Sequence, residues 1–137
     1  MQNSLSFVAA LELGARSLER RRKAAEQLAL LGRDEILPAV GPLVASLADE
    51  DAELRMLSAW ALLEASPLPT QWVPELLSGL TDDRAEVRVW CCALLGECRS
   101  DDAFATAALE RSARCDPEAE VRATASAALR TTPMSSC

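Results

Sequence analysis

The hydrophobic positions of this chain recur at steps of three and four residues and do not settle into the strict alternation of a strand. Leu43, Leu47, Leu54 and Leu62 form one such series, and Leu76, Leu80, Val87 and Leu94 form the next. Each series puts its apolar residues on one stripe of a helix, with polar residues between them. The stretch LVASLADED matches LLSGLTDDR, with Leu43 aligned on Leu76 and Leu47 on Leu80. The pattern therefore repeats as well as being helical.

A second series interleaves with the first. RRKAAEQLALLG from Arg21, LRMLSAWALLEA from Leu54, VRVWCCALLGEC from Val87 and VRATASAALRTT from Val121 align on Arg21, Arg55, Arg88 and Arg122, whose successive spacings agree to within a single position. Each period holds two helical patterns, so the unit is a helical hairpin. Self-similarity at a fixed period of this size is the signature of stacked repeats. First helices are predicted near 4–15, 35–48, 71–81 and 101–114, and second helices near 18–31, 52–65, 84–97 and 118–131. The repeats then run near 4–33, 34–66, 70–98 and 101–131 of a single domain spanning 1–137, with a frayed tail at 132–137.

The punctuation supports this register. Asp51, Asp83 and Asp116 stand where second helices should begin, Glu86 follows Asp83 by three residues, and Pro117 follows Asp116 directly. Gly32 and Gly96 stand where second helices should end, and the Pro67–Pro69 stretch breaks the chain in repeat two. Pro42 falls inside the first helix of repeat two, where it should remove a hydrogen bond and kink the helix.

The segments 49–55 (DEDAELR), 82–88 (DDRAEVR) and 116–122 (DPEAEVR) resemble the HEAT-like repeat, in particular the short form of phycobilisome-lyase-type proteins with its Asp-x-Asp-x-Glu-Val-Arg start. Leu94, Leu95 and Gly96 complete the pattern in repeat three, while Arg20 and Arg130 depart from it in the terminal repeats. Tetratricopeptide and ankyrin units are excluded by composition, since the chain has no Tyr and no His. The resemblance implies an all-α fold: an α-solenoid, a right-handed αα superhelix of four HEAT-like hairpins and about eight helices. It also implies that Asp49, Asp82 and Asp116 pair with Arg55, Arg88 and Arg122 between neighbouring hairpins. A ladder repeated in every unit is architecture, and function should be sought where the repeat is broken.

If the family's geometry holds, the positions one, two and five after each marker arginine face the concave side of the solenoid. Repeat one places Arg22, Lys23 and Glu26 there, and repeat four Ala123, Thr124 and Ala127. Repeats two and three place Met56, Leu57, Trp60, Val89, Trp90 and Ala93 there, apolar where solvent is expected. A patch of this kind marks an interaction site, and Trp is enriched among interface hot spots. Met56, Leu57, Trp60, Val89 and Trp90 are therefore the candidate partner contacts, unless a tightly curved stack makes them core. Trp72 and the basic run Arg20 to Lys23 read as local packing and a solvated face.

Charge narrows the partner. The formal net charge is -7. Residues 1–34 carry six basic against four acidic side chains, and 35–137 carry eight against seventeen. Such a balance disfavours nucleic acid, which needs a clustered basic surface. No apolar run approaches a membrane span, and the N-terminal residues lack the basic stretch of a signal peptide. Five cysteines, with Cys91 and Cys92 adjacent, make a poor disulfide framework and suit a reducing cytoplasm. There is no histidine, no paired Cys-x-x-Cys and no glycine-rich phosphate loop, so neither metal nor cofactor is expected. The expected function is a non-catalytic adaptor whose concave face takes a helix or peptide of another protein. A bilin-lyase or other chromophore-handling subunit is the alternative, and end-to-end self-association is expected where a terminal repeat lacks a solvated cap.

Overall fold

The computed structural model describes residues 16–98 and 102–130. The first helix expected near 4–15 and the tail at 132–137 lie outside the described residues. Among those described, every regular element is helical. The chain divides into two compact units, residues 1–66 and 67–137.

In the first unit, α1 (Leu18–Ala29) follows an N-cap by Ser17, whose hydroxyl accepts from the Arg20 amide. Next come α2 (Arg33–Ile36), a 3-10 turn (Leu37–Ala39), α3 (Val40–Ser46) and α4 (Ala52–Ala65). Helices α1 and α3 both pack on α4. Leu28, Ile36, Leu43, Leu54 and Leu62 are fully buried and form the core of the unit. All are positions where the three- and four-residue spacing turns a side chain inward.

The second unit opens with a 3-10 turn (Thr70–Trp72), followed by α5 (Val73–Gly79), α6 (Ala85–Cys98), α7 (Ala103–Cys115) and α8 (Ala119–Arg130). Helix α5 packs on α6, while α8 packs on both α6 and α7. Leu76, Val87, Leu94, Leu95, Leu109 and Val121 fill its core.

The first helix of repeat two is broken, and the break spares the hydrogen bond that Pro42 was expected to remove. The backbone leaves the helix at Ala39 (φ -102°, ψ 7°) and restarts as α3, so Pro42 becomes its third residue. In a first turn the missing N–H had no intrahelical acceptor in any case. The same break recurs one repeat later at Trp72 (φ -91°, ψ -1°), after which α5 carries Pro74 in its first turn. Repeat four has no proline within its first helix, and α7 runs without interruption from an Asp102 cap whose carboxylate accepts from the Ala105 amide.

Two helix-end expectations change. Gly96 does not end α6 but lies buried within it against Ala128 of α8; a Cβ on Gly96 would fall 2.6 Å from the Ala128 Cβ. The residue is required by a close helix crossing and not by a left-handed cap. Of the three acids expected at second-helix starts, Asp51 is the N-cap of α4, accepting from the Leu54 amide at 2.8 Å. Helices α6 and α8 begin at Ala85 and Ala119, which places Asp83 and Asp116 upstream of their caps. Asp116 works in the turn, as described next.

Candidate interaction surface

The turn between the two helices of each hairpin is held in the same way in repeats two, three and four. The first acid accepts the amide two residues on: Asp49 from Asp51, Asp82 from Arg84, and Asp116 from Glu118, at 2.8 to 2.9 Å. This side-chain turn replaces hydrogen bonds that a connecting loop cannot make with itself. The marker arginine then reaches back six residues to the carbonyl of that same acid. Arg55 donates to Asp49 O at 2.8 Å, Arg88 to Asp82 O at 2.8 Å and Arg122 to Asp116 O at 2.6 Å. The motif Asp-x-x-x-x-x-Arg thus closes each hairpin by itself.

Carboxylates of these turns also receive the arginine of the preceding repeat. In the first unit Arg21 pairs with Asp49 at 2.8 Å. In the second, Arg88 grips both oxygens of Asp116 at 2.9 and 3.2 Å. Arg22 adds a two-pronged pair with Asp51. The hollow beside this ladder in the first unit is lined by Leu18, Arg21, Asp49, Glu50 and Asp51. Asp49 and Asp51 are already committed to arginines, so the ladder residues hold the frame that carries the surface.

That surface lies on α4. Met56 and Trp60 are exposed, Trp60 at 61 %. Leu57 is only 7 % exposed and forms the floor between α1 and α4. Together with Ala29, Leu30 and Trp60 it lines an apolar groove of about 350 Å³, bounded by Glu26 and Glu64. Leu30, the C-cap residue of α1, is 83 % exposed. Leu63, also exposed, continues the Met56 and Trp60 stripe at the helical spacing. Leu30 and Leu63 were not among the contacts expected from the repeat register. Leu63 could have been found as the residue three beyond Trp60 and seven beyond Met56, whereas Leu30 looks like core in the pattern LALLG.

In the second unit Val89, Trp90 and Ala93 are half-buried on α6. Cys91 and Cys92 are buried free thiols in the small-residue positions of that helix; burial pushes Cys91 up to about 12 and Cys92 to about 11. They are packing residues and poor nucleophiles. Among the described residues no group of three or more Cys, Asp or Glu side chains is placed to hold a metal ion. No helix among them is long and apolar enough to cross a membrane.

Helical hairpins, closed by an acid and an arginine in repeats two to four and recurring at a constant period, define an α-helical repeat protein of the armadillo and HEAT class. The chain belongs to the HEAT repeat family, whose profile matches residues 41–130. Among solved structures it is similar to an engineered protein crystallised by a structural genomics consortium, at 21% identity and TM-score 0.66, over 92% of this chain and 61% of that one. It is also similar to a designed armadillo repeat protein at 20% identity and TM-score 0.63, over 95% of this chain and 65% of the other. The chain therefore spans less than two thirds of the length of either, and identities this low speak to the fold alone. No curated protein is significantly similar to it.

Proposed function

We propose that the chain is a non-catalytic adaptor that binds a helix or peptide of another protein on the second-helix face, with Met56, Leu57 and Trp60 as the contacts in the first unit. Val89 and Trp90 occupy the equivalent positions of the following repeat and are the contacts proposed for the second unit. The observation that carries this reading is Trp60, an indole left mostly in solvent beside a groove floored by Leu57. Exposed aromatic surface next to an apolar pocket is what an interface hot spot needs. Glu26 and Glu64 on the rim favour a partner whose apolar ridge is flanked by Lys or Arg. The unbroken repeat period supports one working domain. The buried, unpaired thiols are compatible with a reducing cytoplasm.

The experiment uses the wild-type chain and a Met56→Ala/Trp60→Ala variant as baits, with helical circular dichroism confirming that both are folded. Partners held by the wild type should be lost by the variant. Equal capture by both would overturn the reading. A second reading, a chromophore-handling subunit, is favoured only by the likeness of the turn motif to phycobilisome-lyase-type repeats. It requires a bilin's absorption spectrum to shift on mixing. Self-association through a terminal repeat would appear as a mass above the monomer at high concentration.

A further inference from the structure

The second unit carries another groove, on its first helices and not on the helix that bears Trp90. It lies between α5 and α7, has a volume of about 550 Å³, and is lined by Leu77, Leu80, Phe104 and Ala108 with Arg111 and Arg114 at its side. Phe104 is 81 % exposed, more than any other large apolar side chain of this unit among the described residues. Phe104, Ala108 and Arg111 fall four and three residues apart, so α7 presents them as one ridge.

The charge at this groove runs against that of the chain. Net charge is -7, yet none of the residues lining the groove carries a carboxylate and two carry guanidinium groups. Seven arginines elsewhere are committed: Arg21, Arg22, Arg84 and Arg88 to carboxylates, Arg33, Arg55 and Arg122 to backbone carbonyls. Arg111 and Arg114 have no ion pair among the described residues, although Glu110 lies one turn before Arg114 on the same side of the helix. Two uncommitted guanidinium groups beside an exposed phenyl ring form a site for carboxylates with an apolar neighbour.

We propose that this groove docks an acidic amphipathic segment of a partner protein, with its apolar side chain between Leu77, Leu80 and Phe104 and its carboxylates on Arg111 and Arg114. The surface is separate from the Trp60 groove and has the opposite charge preference, so one chain holds two unlike segments. That is the arrangement an adaptor requires.

The test is selection of a random peptide library displayed on phage against the full chain, followed by counter-selection against Arg111→Glu/Arg114→Glu and, separately, Phe104→Ala. Peptides lost on the charge reversal should be enriched in Asp and Glu around Leu or Phe. As synthetic peptides they should bind the wild type roughly tenfold or more tightly than the charge reversal, since like charges placed across an interface repel strongly, and more tightly than Phe104→Ala, which removes the apolar contact. Circular dichroism must show both variants folded, which the exposure of all three side chains favours. If the reversal fails to fold, the charge-neutral Arg111→Gln/Arg114→Gln pair gives the same comparison with a smaller loss. The proposal is overturned if no peptides are selected, if those selected lack acidic enrichment, or if they bind the charge reversal equally well. It is also overturned if the reversal abolishes self-association of the chain in sedimentation, because the occupant is then a second copy. If every selected peptide is basic, survives the reversal and is lost on Trp60→Ala, all of them belong to the other groove and the proposal is overturned as well.

Discussion

Arg88 holds Asp116 with two prongs, at 2.9 and 3.2 Å, while a third bond from the same guanidinium runs to the carbonyl of Asp82. One side chain thereby closes its own hairpin and fastens the next. The pair is largely removed from solvent, at 11% and 7% side-chain exposure.

Breaking it should be expensive. Asp116→Ala leaves the Arg88 charge in a half-dry site and also releases the Glu118 amide, so we expect a loss of about 2 to 4 kcal/mol, toward the range for a buried pair that loses one partner. The Arg22 to Glu53 contact is the internal control: it is long, at 3.7 Å, and both side chains are exposed. Glu53→Ala should change stability by less than about 0.5 kcal/mol. Urea unfolding of the two variants checks the contrast, and similar losses from both would contradict it.

The acids of the turns also set the response to pH. Asp51 is held down from 3.8 to about 2, first by its bond with Arg22 and then by the Leu54 amide. Burial pushes Asp116 up, but the Arg88 bond, the Glu118 amide and the charges of Arg88 and Arg122 together outweigh it, so Asp116 is lowered as well. A folded-state value below the unfolded one means that the stabilisation is complete above the ordinary aspartate range and is lost as pH falls through the folded value. Melting temperature should therefore hold steady down to about pH 4 and fall between about pH 4 and 2. Asp51→Asn keeps a capping side chain but cannot titrate, so its melting temperature should start lower and fall less across that window. A parallel decline in both proteins would remove Asp51 from the explanation.

Much of the frame was legible from the residues because it repeats. Arg21, Arg55, Arg88 and Arg122 fixed the period, and the helix positions followed from it. What was not legible concerns distances of a few ångströms. A proline in a helical pattern signals a cost, but only the backbone shows that the helix restarts at Val40 and so avoids it. An acid before a helix reads as a cap, yet Asp116 lies three residues before Ala119 and serves the turn and Arg88 instead. The α4 surface was visible as apolar residues at polar positions, and yet no spacing rule told Leu57, which is floor, from Trp60, which is wall.

Gly96 is the clearest instance of spacing misread, and it can be tested. Helix propensity alone would make Gly96→Ala stabilising by about 1 kcal/mol. The new methyl group would meet the Ala128 Cβ at 2.6 Å and its Cα at 3.0 Å, and a backbone atom cannot rotate away. Overpacking of this kind costs about 1 to 3 kcal/mol and should win, giving a net loss. Adding Ala128→Gly removes the tightest contact, leaving the Cα at 3.0 Å and the carbonyl oxygen at 3.3 Å, and should recover part of it. A simple gain in stability for Gly96→Ala would mean that α6 and α8 cross with more room than the structure gives them.

The thiols report whether that crossing stays shut. Cys91, Cys92 and Cys98 all lie on α6, buried and free, with burial raising them to about 12, 11 and 11 respectively. Cys115, at the end of α7, is exposed and free. The nucleophile is the thiolate, so buried thiols raised this far should not react near neutral pH until the helix opens. In a Cys137→Ser chain, which removes the cysteine outside the described residues, a disulfide-exchange reagent should label Cys115 quickly. The three on α6 should follow only as denaturant opens the unit. Combining this background with Gly96→Ala should speed labelling of Cys98, which lies two residues beyond the overpacked site, more than that of Cys91, which lies five residues before it. If Cys91 and Cys92 labelled as fast as Cys115 in the absence of denaturant, α6 would not be the fixed centre of its unit.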